Sequence, residues 1–490
     1  MHIDEGKILY IIQNNNGQGS LTYRNATGGE KMTQSIQLEQ YLGKPMECGC
    51  GHEHKTRLKK IDIEKGALQR LPEHIREMGY HYIFMVCDVN TWEAAGKTAA
   101  ELLHDKGIAY EYLVIQDREL VPDEHAVGTV VTAFPRKADL ILAVGSGTLN
   151  DLCKFVSFQT GVDYMVCATA PSMDGFASVG AALITDHVKT TYDAHVPVAI
   201  IGDTEVLSQA PMEMIVAGLG DILGKYTCLM DWKMAHLIEG EYYCEKVADM
   251  VRQAVTIVVE QSGKIKERNP EAVKAVTEAL VLTGVAMSFV GNSRPASGSE
   301  HHLSHYWEMQ FQMEGKKPVL HGIKVGTGLL TVLHMYRRLA GENIDFSSLK
   351  EKEFDKAAWE LRVRECYKDA AEGILALEEE CGKNSTEKRL KRLKRLEEVW
   401  PEMVSMISEE LPVPEEMERM MAELGAPINP QQFGVSMKQV KDGIVLAKEV
   451  RNRFTILQIL WDLGLLEQYA DDMEAYFQTG QETYQKGVVS

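Results

Sequence analysis

The feature that most limits what this chain can fold into is a change of rhythm near residue 205. Between Tyr80 and Asp203 short apolar runs alternate with amphipathic stretches. YIFMVCD, AYEYLVIQ, ADLILAV and DYMVCAT have the length and residue types of buried strands. Between them, TWEAAGKTAAELLHDKG (closed by Gly107), His125 to Lys137, and LNDLCKFVSF read as helices. VKTTYDAHVPVAIIGD alternates and reads as a strand ending near Asp203. This order predicts a parallel sheet covered by helices, with ligands beyond the carboxyl ends of the strands. From Pro211 the pattern is that of long helices, one spanning PMEMIVAGLGDILGKYTCLMDWKMAHL, with YYCEKVADMVRQAVTIVVEQSG and PEAVKAVTEALVLTGVAMSFV following. The expected architecture is an α/β domain with a parallel sheet over residues 41–205, then an all-helical domain over 206–490. Residues 1–40 are polar and rich in glycine and are expected to form a poorly ordered extension.

The helical half carries the strongest chemical signal, SGSEHHLSHYWEMQFQMEGKKPVLHG. His301 and His305 are four residues apart and share a helix face. His321 follows a break at Gly315 and Pro318. Three imidazoles from a helix and a turn suit a divalent metal with one position left for substrate. Asp221, in GLGDILGKYT, would complete the shell. A histidine pair at this spacing is also compatible with surface or satisfied core positions.

Two strand ends carry candidate cofactor contacts. In AVGSGTLNDLCKF, Gly145 and Gly147 allow a sharp turn, and the helix behind it offers free N–H groups to a pyrophosphate. The spacing is not that of the usual dinucleotide fingerprint, and a plain tight turn fits equally well. In ATAPSMDGFAS, Thr169, Ser172 and Ser178 offer hydroxyls and Asp174 a carboxylate. Asp-Gly is also an ordinary turn pair. Asp88, at the end of YIFMVCD, would accept ribose hydroxyls, or would simply cap the next helix.

Net charge narrows the partners. A formal charge of −19 argues against general nucleic-acid binding. The N-terminus lacks a signal pattern and no run of about 18 apolar residues stands out, so a cytoplasmic protein without a membrane span is expected. Nine scattered cysteines fit reduced thiols. CGCGHEH, Cys48 to His54, crowds two cysteines and two histidines together without a second ligand pair nearby, and reads as a tight turn leading into a strand. EKRLKRLKRLEEVW reads as a solvated helix face rather than a lipid-binding one.

Taken in order, CGCGHEH, GSGTLNDLCKF, TAPSMDGFAS, GLGDILGKYT, GNSRPASGSEHHLSHYWEM and LHGIKVG resemble the glycerol-1-phosphate dehydrogenase family, in its bacterial AraM-type branch. That family lies within the iron-containing alcohol dehydrogenase and dehydroquinate synthase-like superfamily. The resemblance is close over residues 41–340 and loose in the tail. It implies metal ligation by Asp221, His301 and His321, with Zn2+ or Ni2+ as the ion. It implies substrate contact and proton relay by His305, and substrate contacts by Asp174 and Asp221. Cofactor contacts by Gly147, Thr148, Leu149, Asn150, Asp151, Thr169, Ser172 and Ser178, and by Asp88, would hold NAD(H) or NADP(H). The implied reaction is reduction of dihydroxyacetone phosphate to sn-glycerol-1-phosphate, for phosphoglycerolipid synthesis, by a homodimer or larger assembly. Lys225, Arg294 and Lys324 are candidates for the substrate phosphate. A polyol dehydrogenase of the same fold would dispense with a phosphate pocket. A dehydroquinate synthase-like lyase would have a glutamate where Asp221 stands.

Overall fold

A computed structural model describes residues 8–13, 19–24, 36–185, 188–349 and 354–479. Residues 1–35 form one unit and 36–490 another. In the first, strands β1 (Ile8–Gln13) and β2 (Gly19–Arg24) pair antiparallel, Ile8 opposite Arg24. The rest of the expected extension up to residue 35 lies outside the described residues.

The second unit begins with a six-stranded parallel sheet. Its strands are β3 (Lys60–Glu64), β4 (Tyr82–Asp88), β5 (Ala109–Ile115), β6 (Leu140–Gly145), β7 (Asp163–Ala168) and, after an antiparallel hairpin of β8 (Gly180–Thr185) and β9 (Val188–Asp193), β10 (Ala199–Asp203). Their spatial order is β3-β10-β7-β6-β4-β5, every pair parallel. From β4 the chain moves to one edge, and from β6 it moves to the other. The crevice where order reverses therefore lies between the ends of β4 and β6, at Asp88 and Gly145, where open α/β sheets bind ligands. Every residue of β6 is buried, which explains its unbroken apolar run.

Helices cover the sheet: α1 (Ala67–Glu77), α2 (Val89–Thr91) passing through a π-helical turn into α3 (Lys97–Asp105), α4 (Glu124–Ala133) and α5 (Gly147–Thr160). The helix read over 125–137 stops at Ala133, because Phe134 precedes Pro135 and is extended, as residues before proline prefer. The single strand read before Asp203 is two strands in two sheets, β9 and β10, separated by a segment containing Pro197.

Beyond β10 only helices follow among the described residues: α6 (Thr204–Gln209), α7 (Met212–Leu223), α8 (Lys225–Glu239), α9 (Glu245–Gln261), α10 (Pro270–Val290), α11 (Ser299–Met313) and α12 (His321–Ala340). The long helix read from Pro211 is divided at Gly224 into α7 and α8, at one of the poorest helix formers. α10 is long and apolar enough to cross a bilayer, which the sequence reading did not flag. It packs against α6, α7 and α9, with most of its residues buried. The tail adds α13 (Lys356–Tyr367), α14 (Ala371–Cys381), α15 (Thr386–Glu410), α16 (Pro414–Glu423), α17 (Met437–Leu446), α18 (Ile456–Leu463) and α19 (Leu466–Thr479). The basic stretch read as a solvated face lies on α15, whose Leu393 and Leu396 are buried. Its Arg392 is buried too and forks onto Asp462 at 2.6 and 2.8 Å.

Candidate active site

The helical half closes over the carboxyl ends of the strands, leaving a cleft of about 2320 Å³. Drug-sized pockets span roughly 300–1,000 Å³, so this one has room for a dinucleotide and a small substrate together. Asp88, Gly147 and Thr169 line one end, and His301, His305 and His321 the other.

Two close helix contacts bring the metal-type residues together. A Cβ on Gly322 would lie 1.8 Å from the Ala217 carbonyl oxygen, and one on Gly220 would lie 2.4 Å from the Gly322 oxygen. Only glycines let α7 and α12 touch backbone to backbone here, and each neighbours a candidate ligand, Asp221 and His321. α11 adds His301. One ligand atom from each of these three residues lies within 4.8 Å of the others. The His301 Nε2 to Asp221 Oδ1 distance is 3.7 Å. The His301 and His321 ring centroids are 5.1 Å apart, with His305 completing a triangle at 6.2 and 6.1 Å.

Glu300 sets the tautomer of His301. Its carboxylate accepts from His301 Nδ1 at 2.7 Å, from Gly298 N at 2.7 Å and from Thr227 Oγ1 at 2.6 Å. His301 Nε2 is thereby left as the lone-pair nitrogen facing Asp221, the orientation in which metal-binding imidazoles are held. Burial, then the positive charge of Lys225, keeps His301 well below the usual histidine range, hence neutral. One carboxylate and two imidazoles suit a divalent metal.

Asp174 and Asp221 share a cation. Lys225 Nζ donates to Asp174 Oδ2 at 2.6 Å, to Asp221 Oδ1 at 2.9 Å and to the Ala296 carbonyl at 3.0 Å. Burial works against its charge, but the two carboxylates outweigh it and hold the ammonium well above the usual lysine range. Asp174 N donates to Asp221 Oδ2 at 3.0 Å, so the Asp-Gly turn is tied to α7. Burial, then the charge of Asp174, pushes the Asp221 carboxyl up to about 7, with Lys225 pulling the other way.

At the nucleotide end, Gly145 has no space for a side chain, since its Cβ would lie 2.4 Å from Leu149 Cδ1. The helix N-terminus of α5 therefore begins directly after β6, with Gly147, Thr148, Leu149 and Asp151 lining the cleft. Asn150 does not line it. Asn150 is fully buried and its Nδ2 donates to Asp151 Oδ1 at 2.9 Å, behind the turn. Asp88 accepts from Thr91 N at 2.8 Å as a helix cap while still lining the cleft. Thr169 and Ser172 line it, the latter bonded to Ser146 Oγ at 2.6 Å. Ser178 lines it too and accepts from Lys154 Nζ at 3.0 Å.

Of the three candidate phosphate cations, Lys225 and Arg294 do not line the cleft. Arg294 grips Glu241 and donates to the Phe454 carbonyl at 3.1 Å. Lys324 lines it while bonded to Glu308 at 3.1 Å. The sequence reading missed Glu300, Lys154, Arg451 and Arg453. Glu300 and Lys154 were signalled by adjacency, one beside His301 and one a turn beyond Asn150. Arg451 and Arg453 come from the tail and line the cleft, with Arg453 donating to the Ser297 carbonyl at 3.0 Å and to Ser293 Oγ at 2.7 Å. Burial, and for Arg453 then the charge of Arg451, lowers both guanidinium groups; an arriving anion would relieve that.

Comparisons with known proteins agree with this layout. Residues 62–211 match the family model described as iron-containing alcohol dehydrogenase. The chain is 39% identical over 312 residues to a glycerol-1-phosphate dehydrogenase (NAD(P)+) of Halalkalibacterium halodurans, covering 63% of this chain and 78% of that one. It is 33% identical to the same-named protein of Geobacillus stearothermophilus, covering 88% and 99%. Its fold is similar to glycerol dehydrogenase from Schizosaccharomyces pombe, with a TM-score of 0.54, 14% identity, and coverage of 86% and 92%. A likeness at this level speaks for the fold, whereas identities above 30% across nearly whole relatives speak for the family. The chain therefore belongs to the glycerol-1-phosphate dehydrogenase family.

Proposed function

We propose that this protein reduces dihydroxyacetone phosphate to sn-glycerol-1-phosphate, reversibly, with NADH or NADPH. The observation that carries the reading is the convergence of Asp221, His301 and His321 at one end of a cleft whose other end is the β4–β6 crevice. In this reading Asp221, His301 and His321 hold one divalent cation, Zn2+ or Ni2+. When bound, the cation supplies electrophilic charge at the ketone oxygen and the reduced nicotinamide supplies hydride.

The chain's own groups do the rest. Backbone N–H groups at the start of α5 meet the pyrophosphate, and Asp88 accepts ribose hydroxyls. Thr169, Ser172 and Ser178 line the cleft beside them. Asp174, held by Lys225, receives a substrate hydroxyl. His305 delivers the proton to the developing alkoxide, a task suited to an imidazole near neutral pH. Arg451 and Arg453, with Lys324, receive the substrate phosphate. The product is a phosphoglycerolipid backbone unit, and a cytoplasmic homodimer or larger homo-oligomer is the proposed working form.

The test is oxidation of NADH and NADPH followed spectrophotometrically, with dihydroxyacetone phosphate compared with dihydroxyacetone, zinc or nickel supplied, and product chirality determined. Preference for the phosphorylated ketone with sn-glycerol-1-phosphate as product supports the reading. Equal or better turnover of the unphosphorylated ketone overturns it in favour of a polyol dehydrogenase.

A further inference from the structure

A second group of metal-type side chains lies apart from the cleft, among residues that the proposed reaction does not use. Cys48, Cys50 and His54 belong to the CGCGHEH stretch, and Cys244 sits in the loop between α8 and α9. The turn expected there is present: Met46 N donates to the His54 carbonyl at 2.9 Å and closes it. Chain folding then supplies what sequence spacing lacked, a fourth ligand 190 residues beyond His54.

We propose that Cys48, Cys50, His54 and Cys244 form a structural zinc site. One ligand atom from each lies within 4.8 Å of the others. Cys48 Sγ and Cys244 Sγ are 3.5 Å apart, and His54 Nε2 lies 3.2 Å from Cys50 Sγ and 3.3 Å from Cys244 Sγ. A tetrahedral zinc with Zn–S near 2.3 Å and Zn–N near 2.0–2.1 Å sets S···S at about 3.8 Å and S···N at about 3.5 Å, so the cage is already near that size. Three cysteines and one histidine are a closed, four-protein-ligand set, the composition of structural rather than catalytic zinc.

The surroundings fix these ligands as a metal site requires. His54 is fully buried, and its Nδ1 faces the Phe289 carbonyl at 3.2 Å. That bond places the proton on Nδ1 and turns the lone pair of Nε2 towards the sulfurs. The Tyr242 hydroxyl lies 3.2 Å from Cys50 Sγ. Tyr242 is itself clamped, its carbonyl accepting from Trp232 Nε1 at 2.7 Å and its ring stacked on His52 at 4.0 Å. A disulfide would use two of the thiols and leave a third thiol and the aimed imidazole without a purpose.

Such a zinc would pin the segment entering the sheet to the α8–α9 loop. The same loop carries Glu241, which holds Arg294 beside the Ser293–Ser297 wall of the cleft. The site is thus a brace for the cleft from outside it.

The test counts zinc in the full-length protein, purified with zinc and passed through gel filtration with a weak chelator. His301→Ala disables the cleft cluster. The expected result is one zinc per chain retained in His301→Ala, with X-ray absorption showing a shell dominated by sulfur near 2.3 Å. Cys50→Ser should lose this zinc while the unmutated cleft keeps its own, seen as a nitrogen and oxygen shell. If Cys50→Ser fails to fold, the absorption spectra of the unmutated protein and His301→Ala decide alone. The proposal is overturned by the absence of zinc in His301→Ala, by a shell without sulfur, or by thiol titration without reductant that finds Cys48 and Cys244 joined.

Discussion

Glu300 and His301 are neighbours in sequence whose side chains close on each other, carboxylate to Nδ1, at 2.7 Å. The pairing, backed by the Thr227 hydroxyl of α8 on the same carboxylate, aims the imidazole's other nitrogen at Asp221. Glu300→Gln should weaken metal binding about 10- to 100-fold, the usual cost of losing the group behind a ligating histidine. Competition titration with a chromophoric chelator checks this, and nucleotide affinity should not move.

Gly322→Ala places a methyl group against the Ala217 carbonyl, a backbone atom that cannot swing aside. Overpacking of this kind costs about 1–3 kcal/mol, and the upper end is expected here. Because α7 and α12 would separate between Asp221 and His321, metal affinity should fall with the melting temperature. A stable variant with unaltered metal affinity would show that the helices do not need this contact.

Arg451→Leu should raise the Michaelis constant for dihydroxyacetone phosphate about 10- to 100-fold, the worth of a hydrogen bond to a charged group. The constant for unphosphorylated dihydroxyacetone should stay where it is. An equal effect on both ketones would remove Arg451 from the phosphate pocket.

Glu278, buried on α10, gives a pH prediction. Burial first, then the charges of Glu39 and Glu271, pushes its carboxyl up to about 7, while Lys274 pulls it down. The folded protein thus keeps a proton that the unfolded chain has released between about pH 4.5 and 7. This group's contribution to stability therefore falls as pH rises through that window. Glu278→Gln should raise stability by about 3 kcal/mol at pH 8 and change little at pH 4. Thermal melts at both pH values, read as differences from the unmutated protein, provide the check.

What the sequence displayed was what local pattern can carry. β4, β6 and β7 were legible because strands buried on both faces leave continuous apolar runs. β3 was foreseen only as a strand somewhere after CGCGHEH, since KIDIE is a charged edge strand, and α1 was not foreseen: it starts after a left-handed Gly66 with no capping side chain and carries Pro72 inside. The histidines at 301, 305 and 321 were visible as spacing along one segment. Arg451 and Arg453 were invisible because nothing in KEVRNRFT distinguishes a cleft wall from a solvated loop. Only long-range packing brings Arg453 to Ser293, 160 residues back. Cys244 was hidden in the same way.

That return of the tail bears on the order in which the protein comes into being. The sheet, the crevice and all three candidate metal ligands have been synthesised once residue 321 has emerged. The wall formed by Val450, Arg451 and Arg453 is still missing at that moment. A nascent chain paused between those points would carry an open, one-sided groove. Closure of the cleft therefore waits for residues 450–453 to emerge, when the hydrogen bonds of Arg453 to Ser293 and Ser297 become available.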